Sequence, residues 1–238
     1  MLEKIKLQNI LFLDIETVPE TENFNDLSET KQLLFAEKTK YQRKEEFTPE
    51  NFYERAGIWA EFGKIICISV GFFSSLEKTR TYKIKSFFND NEKQLLLGFK
   101  KLLEDYFSEP KHILCAHNGK EFDFPYIARR MIINRINLPE KLNLFGKKPW
   151  EISHIDTLDL WKFGDYKHYT SLSLLTNILG IPSPKDDING SDVGQVYYQE
   201  KNLKRIVTYC EKDTIAVAQL LLRFSNLELL NDDEIIVI

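Results

Sequence analysis

Short apolar runs alternate in this chain with longer stretches in which apolar residues recur every three or four positions. Residues 9–16 form an apolar run broken by two acids, and residues 64–73 and 79–88 are rich in β-branched and aromatic side chains. Runs of this kind predict strands, and the short polar segment between the second and third predicts an antiparallel hairpin. The first part of the chain is therefore expected to form a three-stranded antiparallel meander.

After the third strand the pattern changes to an alternation of helices and strands. Helical spacing predicts four helices, and short apolar runs predict two further strands between them. The predicted helices are 91–107, 124–133, 171–179 and 203–224, and the predicted strands are 112–117 and 154–161. A meander followed by alternating elements predicts an α/β fold, in which a mixed central sheet carries helices on both faces.

One polar stretch interrupts this pattern between the first and second strands. Residues 20–60 are polar and charged, with helical spacing over 26–44 and a second helix after Pro49, which Thr48 is expected to cap. A second polar segment, 183–195, is predicted to be a loop. We interpret residues 1–238 as a single domain with a helical insertion at about 20–60.

Composition and charge limit the class of protein and the cellular compartment that can be expected. The chain is 43% hydrophobic and has a net charge of −4, so it is globular and its overall field does not attract nucleic acid. Cys67, Cys115 and Cys210 are odd in number and widely spaced, which favours reduced thiols over disulfides or a zinc site. The first apolar run stops at Asp14, far short of the roughly 20 residues that span a bilayer. A cytoplasmic protein without membrane contact is expected.

The two acids in the first strand are the first candidates for chemistry. Asp14 and Glu16 are two positions apart, so on a strand both carboxylates project from one face. Adjacent carboxylates repel each other unless a cation lies between them. The same Asp-x-Glu string recurs at 90–92 and 232–234, where we expect solvated side chains. Only the first copy interrupts a buried strand, which favours a metal site.

A second group of polar residues follows the strand 112–117. His117 and Asn118 end that strand, and Asp123 precedes a helix. Each residue has a structural alternative. His117 would be a histidine whose hydrogen bonds are supplied by the fold, Asn118 a turn residue, and Asp123 the N-cap of the helix.

A third group lies within the last helix. Tyr209 and Asp213 are four residues apart, so their side chains lie on one face of that helix. The structural alternative for this pair is a surface hydrogen bond.

Taken together and in order, the three groups resemble the motifs of the DEDD superfamily of 3′→5′ exonucleases. The strings FLDIET, Asn118 to Phe122-Asp123, and Tyr209-x-x-x-Asp213 match its first, second and third motifs. Thr208 stands where the histidine branch has its histidine, so the tyrosine branch is indicated. The stretches AEFGKIICISVGF and AHNGKEFDFPYIARR are most similar to the proofreading exonuclease domains of family B DNA polymerases. No polymerase domain follows in the sequence, so a stand-alone exonuclease is expected.

The resemblance implies a ribonuclease-H-like fold and a role for each matched residue. It implies that Asp14 bridges two metal ions, that Glu16 and Asp213 complete the site of the attacking water, and that Asp123 supports the second ion. Tyr209 would orient the water. The remaining implied contacts, with substrate, are those of Thr17, Asn118 and Phe122.

The expected cofactors are two divalent ions, Mg²⁺ or Mn²⁺, since the ligands are hard oxygens. The expected partner is the 3′ end of single-stranded nucleic acid, with DNA favoured over RNA. RNA hydrolysis by the same mechanism and a non-catalytic nucleic-acid-binding module stay open as alternatives. The stretch 129–148 carries a net charge of +5 and either borders the substrate path or forms a solvated face.

Overall fold

The computed structural model describes residues 6–43, 46–75, 80–165, 167, 169–182 and 188–238. Within these residues the chain forms six strands and eight α-helices. The strands are β1 (Ile10–Pro19), β2 (Gly63–Ser75), β3 (Thr81–Phe88), β4 (Ile113–Ala116), β5 (Ile155–Asp156) and β6 (Ile235–Val237). The helices are α1 (Glu29–Arg43), α2 (Pro49–Phe52), α3 (Glu92–Tyr106), α4 (Asp123–Ile133), α5 (Thr157–Lys162), α6 (Leu172–Ile178), α7 (Val193–Tyr198) and α8 (Leu203–Phe224).

All six strands belong to one mixed sheet in the order β5-β4-β1-β2-β3-β6. β1 pairs antiparallel with β2, and β2 pairs antiparallel with β3, so the predicted meander is confirmed. β4 lies parallel to β1 on its other side, and β5 lies parallel to β4. β6 adds a parallel edge strand next to β3. β1 is therefore central, and residues near its end have neighbours on both sides.

Alternate residues of β1 face opposite layers of helices, as the period of two of a strand requires. Leu13 packs in one cluster with Phe99 of α3, whereas Phe12 packs in another with Val217 of α8. Helices therefore cover both faces, as predicted. Asp14 follows Phe12 by two positions, and its carboxyl group contacts Cys210 of α8. The acids of β1 lie on the α8 face.

The helix α8 crosses this face and packs against β1, β2 and β3. Asn202 caps it by accepting a hydrogen bond from the backbone N–H of Arg205 (3.3 Å). Its bounds agree with the predicted helix 203–224. Its buried face carries Val217 and Leu221 in the core that includes Phe12. In the part of the chain that the structure describes, neither α8 nor any other helix is long and apolar enough to cross a membrane.

Two predicted elements differ from the structure. In the predicted strand 154–161 only Ile155–Asp156 is extended, because the Asp156 carboxylate accepts hydrogen bonds from the N–H groups of Leu158 (2.9 Å) and Asp159 (3.4 Å) and starts α5. In the predicted loop 183–195, α7 begins at Val193, and residues 183–187 lie outside the described part.

The insertion folds around an aromatic cluster of its own. Phe35 lies at its centre, with ring centroids 5.3 Å from Tyr53 and 5.2 Å from Phe62, both edge to face. α1 begins at Glu29, three residues after the predicted start, because a 3₁₀ turn precedes it at Phe24–Asp26. The predicted cap at Thr48 is confirmed, since its hydroxyl accepts from the N–H of Asn51 (3.1 Å).

Candidate active site

The first two acids lie at the end of β1 beside α8. The ligand atoms of Asp14, Glu16 and Cys210 all lie within 4.8 Å of one another. The Cys210 thiol donates to both the backbone oxygen and the carboxylate Oδ2 of Asp14, each at 3.4 Å. The pairing of β1 with β2 is irregular between Glu16 and Thr17, and a bulge of this kind redirects the chain at a sheet position. Cys210 is a neighbour that the sequence did not indicate as part of the site.

Asp123 reaches the same place from the start of α4. It is the first helical residue; Phe122 occupies the cap position and makes no capping hydrogen bond, so the N-cap alternative for Asp123 is not observed. The pKa of Asp123 is raised to about 8, first by burial and then by the charges of Asp156 and Asp213. A hydrogen bond with the backbone of Ile15, the residue between the two acids of β1, opposes this rise. Asp123 of the second motif therefore lies beside the acids of the first motif.

Asp213 of the third motif affects the pKa of both acids of β1. Burial raises the pKa of Asp14 well above its ordinary value, and the carboxylate charges of Asp213, Glu16 and Asp123 raise it further. The pKa of Glu16 is raised in the same way, first by burial and then by the charge of Asp213. Mutual repulsion between buried carboxylates is relieved by a bound cation. The donor set of hard oxygens fits a divalent ion such as Mg²⁺ or Mn²⁺.

Tyr209 belongs to this cluster and is not part of an isolated surface pair. Its pKa is raised, first by burial and then by the charges of Asp213, Glu16 and Asp14. A hydrogen bond with Asp213 contributes as well. The residues of all three motifs therefore act on one another electrostatically, although they come from β1, the start of α4 and α8.

Asp156 is a residue near the site that sequence reasoning missed. Its carboxylate accepts hydrogen bonds from the N–H groups of Asn118 (2.9 Å) and Lys120 (3.0 Å). Asn118 has φ of 62°, a conformation that asparagine tolerates in turns. Asp156 therefore fixes the turn that leads to Asp123. The signal was available, because an aspartate directly before a helical segment is typical of an N-cap.

The three predicted substrate contacts lie in different settings. Thr17 and Phe122 line a cavity together with Glu16. The Thr17 hydroxyl donates to the backbone oxygen of Gly57 (2.9 Å), so it also holds the insertion against β1. Asn118 lies in the turn that Asp156 holds, outside the lining of that cavity.

Several other polar residues serve the fold. His117 Nδ1 lies 2.9 Å from the hydroxyl of Thr157, in agreement with a structural histidine. Of the basic stretch 129–148, Arg130 is buried in an ion pair with Glu92, and Lys141 is buried as well. The stretch is therefore not one continuous basic surface.

In both further copies of the Asp-x-Glu string the aspartate, Asp90 or Asp232, is exposed as expected, whereas the glutamate is not. Glu92, expected to be solvated, is 8% exposed. Glu234 forms an ion pair with Arg80 (2.8 Å). Each glutamate therefore has a cationic partner within the chain: Arg130 for Glu92 and Arg80 for Glu234.

Comparison with solved structures gives a match to the fold of this chain. A structure titled "Structure of the family B DNA polymerase from the hyperthermophilic archaeon Pyrobaculum calidifontis" matches with a TM-score of 0.54 at 15% sequence identity, over 90% of this chain and 24% of that one. This chain thus spans about a quarter of the polymerase. At that identity the match concerns the fold, and the predicted ribonuclease-H-like fold is confirmed.

A family match covers most of the sequence. Residues 58–234 match the family described as "Predicted 3'-5' exonuclease related to the exonuclease domain of PolB". The match begins after Asp14 and Glu16, so it includes the second and third motifs but not the first. The structure brings all three motifs to one place. The chain belongs to the family of predicted 3′-5′ exonucleases related to the exonuclease domain of PolB.

Proposed function

We propose that this protein removes nucleotides one at a time from the 3′ end of single-stranded DNA by hydrolysis that depends on two divalent metal ions. In this proposal Asp14, Glu16, Asp123 and Asp213 hold the ions, as the resemblance to the tyrosine branch of the DEDD exonucleases implies. One observation carries it: the carboxylates of Asp14 and Glu16 lie within 4.8 Å of each other, and the charges of Asp123 and Asp213, from α4 and α8, act on both.

Burial without a ligand would be costly for such a cluster. An ionised carboxylate loses much of its solvation when it is buried, and like charges beside it add to that cost. The charges that shift the pKa of Asp14 and Glu16 belong to acidic groups and thiols. The cluster is destabilising as it stands, and the binding of divalent cations would offset this cost.

In the proposed reaction, different residues of the chain have different roles. Bound divalent ions would stabilise the charge on the attacking and leaving oxygens of the phosphodiester. Tyr209, on the α8 face of the cluster, would accept or donate a hydrogen bond to the attacking water and so fix its direction. Asp156, through its hydrogen bonds to the turn at Asn118, would keep Asp123 in place.

The direct test is the variant Asp14→Ala. The unmodified protein, given Mg²⁺ or Mn²⁺ and a single-stranded DNA labelled at its 5′ end, is expected to give a ladder of products shortened from the 3′ end, with release of mononucleotides. Asp14→Ala is expected to give none. A mutant with undiminished activity would show that the acids are not the catalytic centre.

Tyr209→Phe separates orientation of water from metal binding. The rate is expected to fall by about 100-fold or more, since a positioned proton-transfer group contributes roughly 10²- to 10⁴-fold. Calorimetric titration with Mn²⁺ is expected to be unchanged, because the phenol is not a ligand in this proposal. Loss of Mn²⁺ binding in Tyr209→Phe would contradict that role.

The choice of DNA over RNA has its own experiment. Oligonucleotides of one sequence, differing only in their sugar, are digested side by side by the unmodified protein. Faster removal of the 3′ nucleotide from DNA supports the proposal, and faster removal from RNA would make it an RNA exonuclease. Binding of either without metal-dependent cleavage would instead support a non-catalytic binding module.

A further inference from the structure

A cavity of about 480 Å³ lies between the acid cluster and the helical insertion. One side is formed by Glu16 of β1 and Phe122 before α4, and the other by Arg55 and Ile58 of the insertion. Gly190 and Ser191 before α7 and Gly194 in its first turn form a third side. The volume lies within the range of about 300–1,000 Å³ that is typical of small-molecule sites. A single nucleotide is therefore a suitable occupant by size.

We propose that the insertion is a substrate-binding element, in which Arg55 contacts a backbone phosphate at the 3′ end of the strand and Ile58 packs against the terminal base. This inference rests on the proposed function, because it takes the acids next to the cavity as the cleavage site. It assigns to the insertion a role that the matched motifs do not contain.

The wall that the insertion presents is rigid. The backbone oxygen of Gly57 accepts hydrogen bonds from the hydroxyls of Thr17 (2.9 Å) and Tyr126 (2.7 Å). A Cβ on Gly57 would lie 3.1 Å from the backbone carbon of Val18, so only glycine allows this close approach without adjustment. The residues on either side of Gly57 are thus held at a fixed distance from β1, and a preformed wall loses little entropy on binding.

Arg55 has the chemistry and the setting of a phosphate contact. Among the described residues that line the cavity, it is the one cationic side chain. Its guanidinium lies 5.2 Å from the centroid of the Phe52 ring, and Phe52 is buried in the aromatic cluster of the insertion. This cation–π contact restrains a side chain that is otherwise exposed. A guanidinium presents a planar set of donors that matches the oxygens of a phosphate.

The apolar part of the wall suits a base. Ile58 is 49% exposed although it is large and apolar, and it lines the same cavity as the partly exposed ring of Phe122. Apolar and aromatic side chains next to a cationic groove are typical of proteins that bind single strands irrespective of sequence. Glu54 also lines the cavity, so the site is not generally basic and depends on Arg55 for its attraction to phosphate.

The test measures binding without turnover. Arg55→Gln, Arg55→Lys and Ile58→Ala are each made in the Asp14→Ala background, with Arg223→Gln as the matched control. Arg223 is an exposed arginine in the last turn of α8. Fluorescence anisotropy of a 5′-fluorescein-labelled single-stranded DNA gives the Kd of each variant over a series of NaCl concentrations.

Each variant has a distinct expected result. Arg55→Gln is expected to weaken binding about 10-fold and to reduce the slope of log Kd against log salt by about 0.7, the value for one phosphate contact on a single strand. Arg55→Lys is expected to keep the slope. Ile58→Ala is expected to weaken binding about 3- to 10-fold with the slope unchanged, since its contact is apolar.

An unchanged Kd and slope in Arg55→Gln, or an equal effect of Arg223→Gln, would overturn the phosphate contact, and an unchanged Kd in Ile58→Ala would overturn the base contact. These failures are distinguishable from failure of the proposed function. If the unmodified protein releases no nucleotides with Mg²⁺ or Mn²⁺, the proposed function fails, whereas the anisotropy of the Arg55 variants still reports on the wall of the cavity.

Discussion

Two copies of the same short string, Asp-x-Glu, occupy contrasting sites in this molecule. Glu16 and Glu92 are both 8% exposed. Glu92 accepts hydrogen bonds from Arg130 Nε (2.8 Å) and from the backbone N–H of Ile65 (2.7 Å), so its charge is compensated within the fold. Glu16 instead has its pKa raised by burial and by the charge of Asp213. At equal burial, Glu92 is paired with a cation of the chain, whereas Glu16 lies among like charges and in the proposed function would hold a metal ion.

The largest expected effect comes from Glu16→Gln. Nuclease activity is expected to fall about 10³-fold or more, equivalent to ~4 kcal/mol of transition-state stabilisation. The melting temperature in EDTA is expected to stay the same or rise, because the variant removes a buried, repelled charge. A gel assay and thermal unfolding monitored by circular dichroism measure the two quantities. A lower melting temperature in EDTA would mean that Glu16 is compensated after all.

The matching change at the other site is Glu92→Gln, which is expected to act in the opposite way. It leaves Arg130 buried without its anionic partner, so the free energy of unfolding is expected to fall by about 3–5 kcal/mol. Activity per folded molecule is expected to be retained. Urea unfolding gives the stability, and activity is normalised to the folded fraction. If the free energy of unfolding were unchanged in Glu92→Gln, Glu92 would not stabilise the fold and would not differ from Glu16 in this respect.

The third prediction concerns pH and uses Asp123. Its folded pKa of about 8 lies above its value of about 4 in an unfolded chain, so its contribution to stability is present below pH 4 and is lost as pH rises to 8. In EDTA, raising the pH from 5 to 8 is expected to cost the protein on the order of 4 kcal/mol relative to Asp123→Asn. His154, whose pKa is lowered by burial to about 4, acts in the opposite direction.

For that reason the difference between the two proteins, obtained from urea midpoints at each pH, is the quantity to measure. Excess Mg²⁺ is expected to reduce the difference at pH 8, because ligand binding stabilises the native state by about 2.7 kcal/mol at 100 times Kd. If the unmodified protein instead became more stable than Asp123→Asn as the pH rises in EDTA, burial and repulsion would not be what raises the pKa of Asp123.

The smallest expected effect is that of Cys210→Ala. The thiol donates weak hydrogen bonds to Asp14, so its loss is expected to change stability by about 1 kcal/mol and activity by only a few-fold. Loss of activity comparable to that of Glu16→Gln would place Cys210 among the essential groups.

The sequence predicted the meander β1-β2-β3, the strand β4 and the long helices, because strand periodicity and helix spacing are local properties, but it did not predict the edge strand β6. It did not predict α5, since the capping hydrogen bonds of Asp156 shorten a run that otherwise reads as a strand. The partner of Glu92 was also out of reach: Arg130 is distant in sequence, and only the tertiary fold brings it close. The cavity wall from the insertion depends on the packing of Gly57 against β1, which has no local signal.

The order of the motifs along the chain has a consequence for biosynthesis. β1 is synthesised before α8, which carries Tyr209 and Asp213 and lies almost 200 residues further along the chain. Domains fold as units during synthesis, and contacts between distant parts of a chain form late. The acid cluster therefore cannot assemble on a nascent chain that lacks α8. A nascent chain that stops before α8 therefore holds no complete acid cluster, and the proposed cleavage could begin only after translation has passed Asp213.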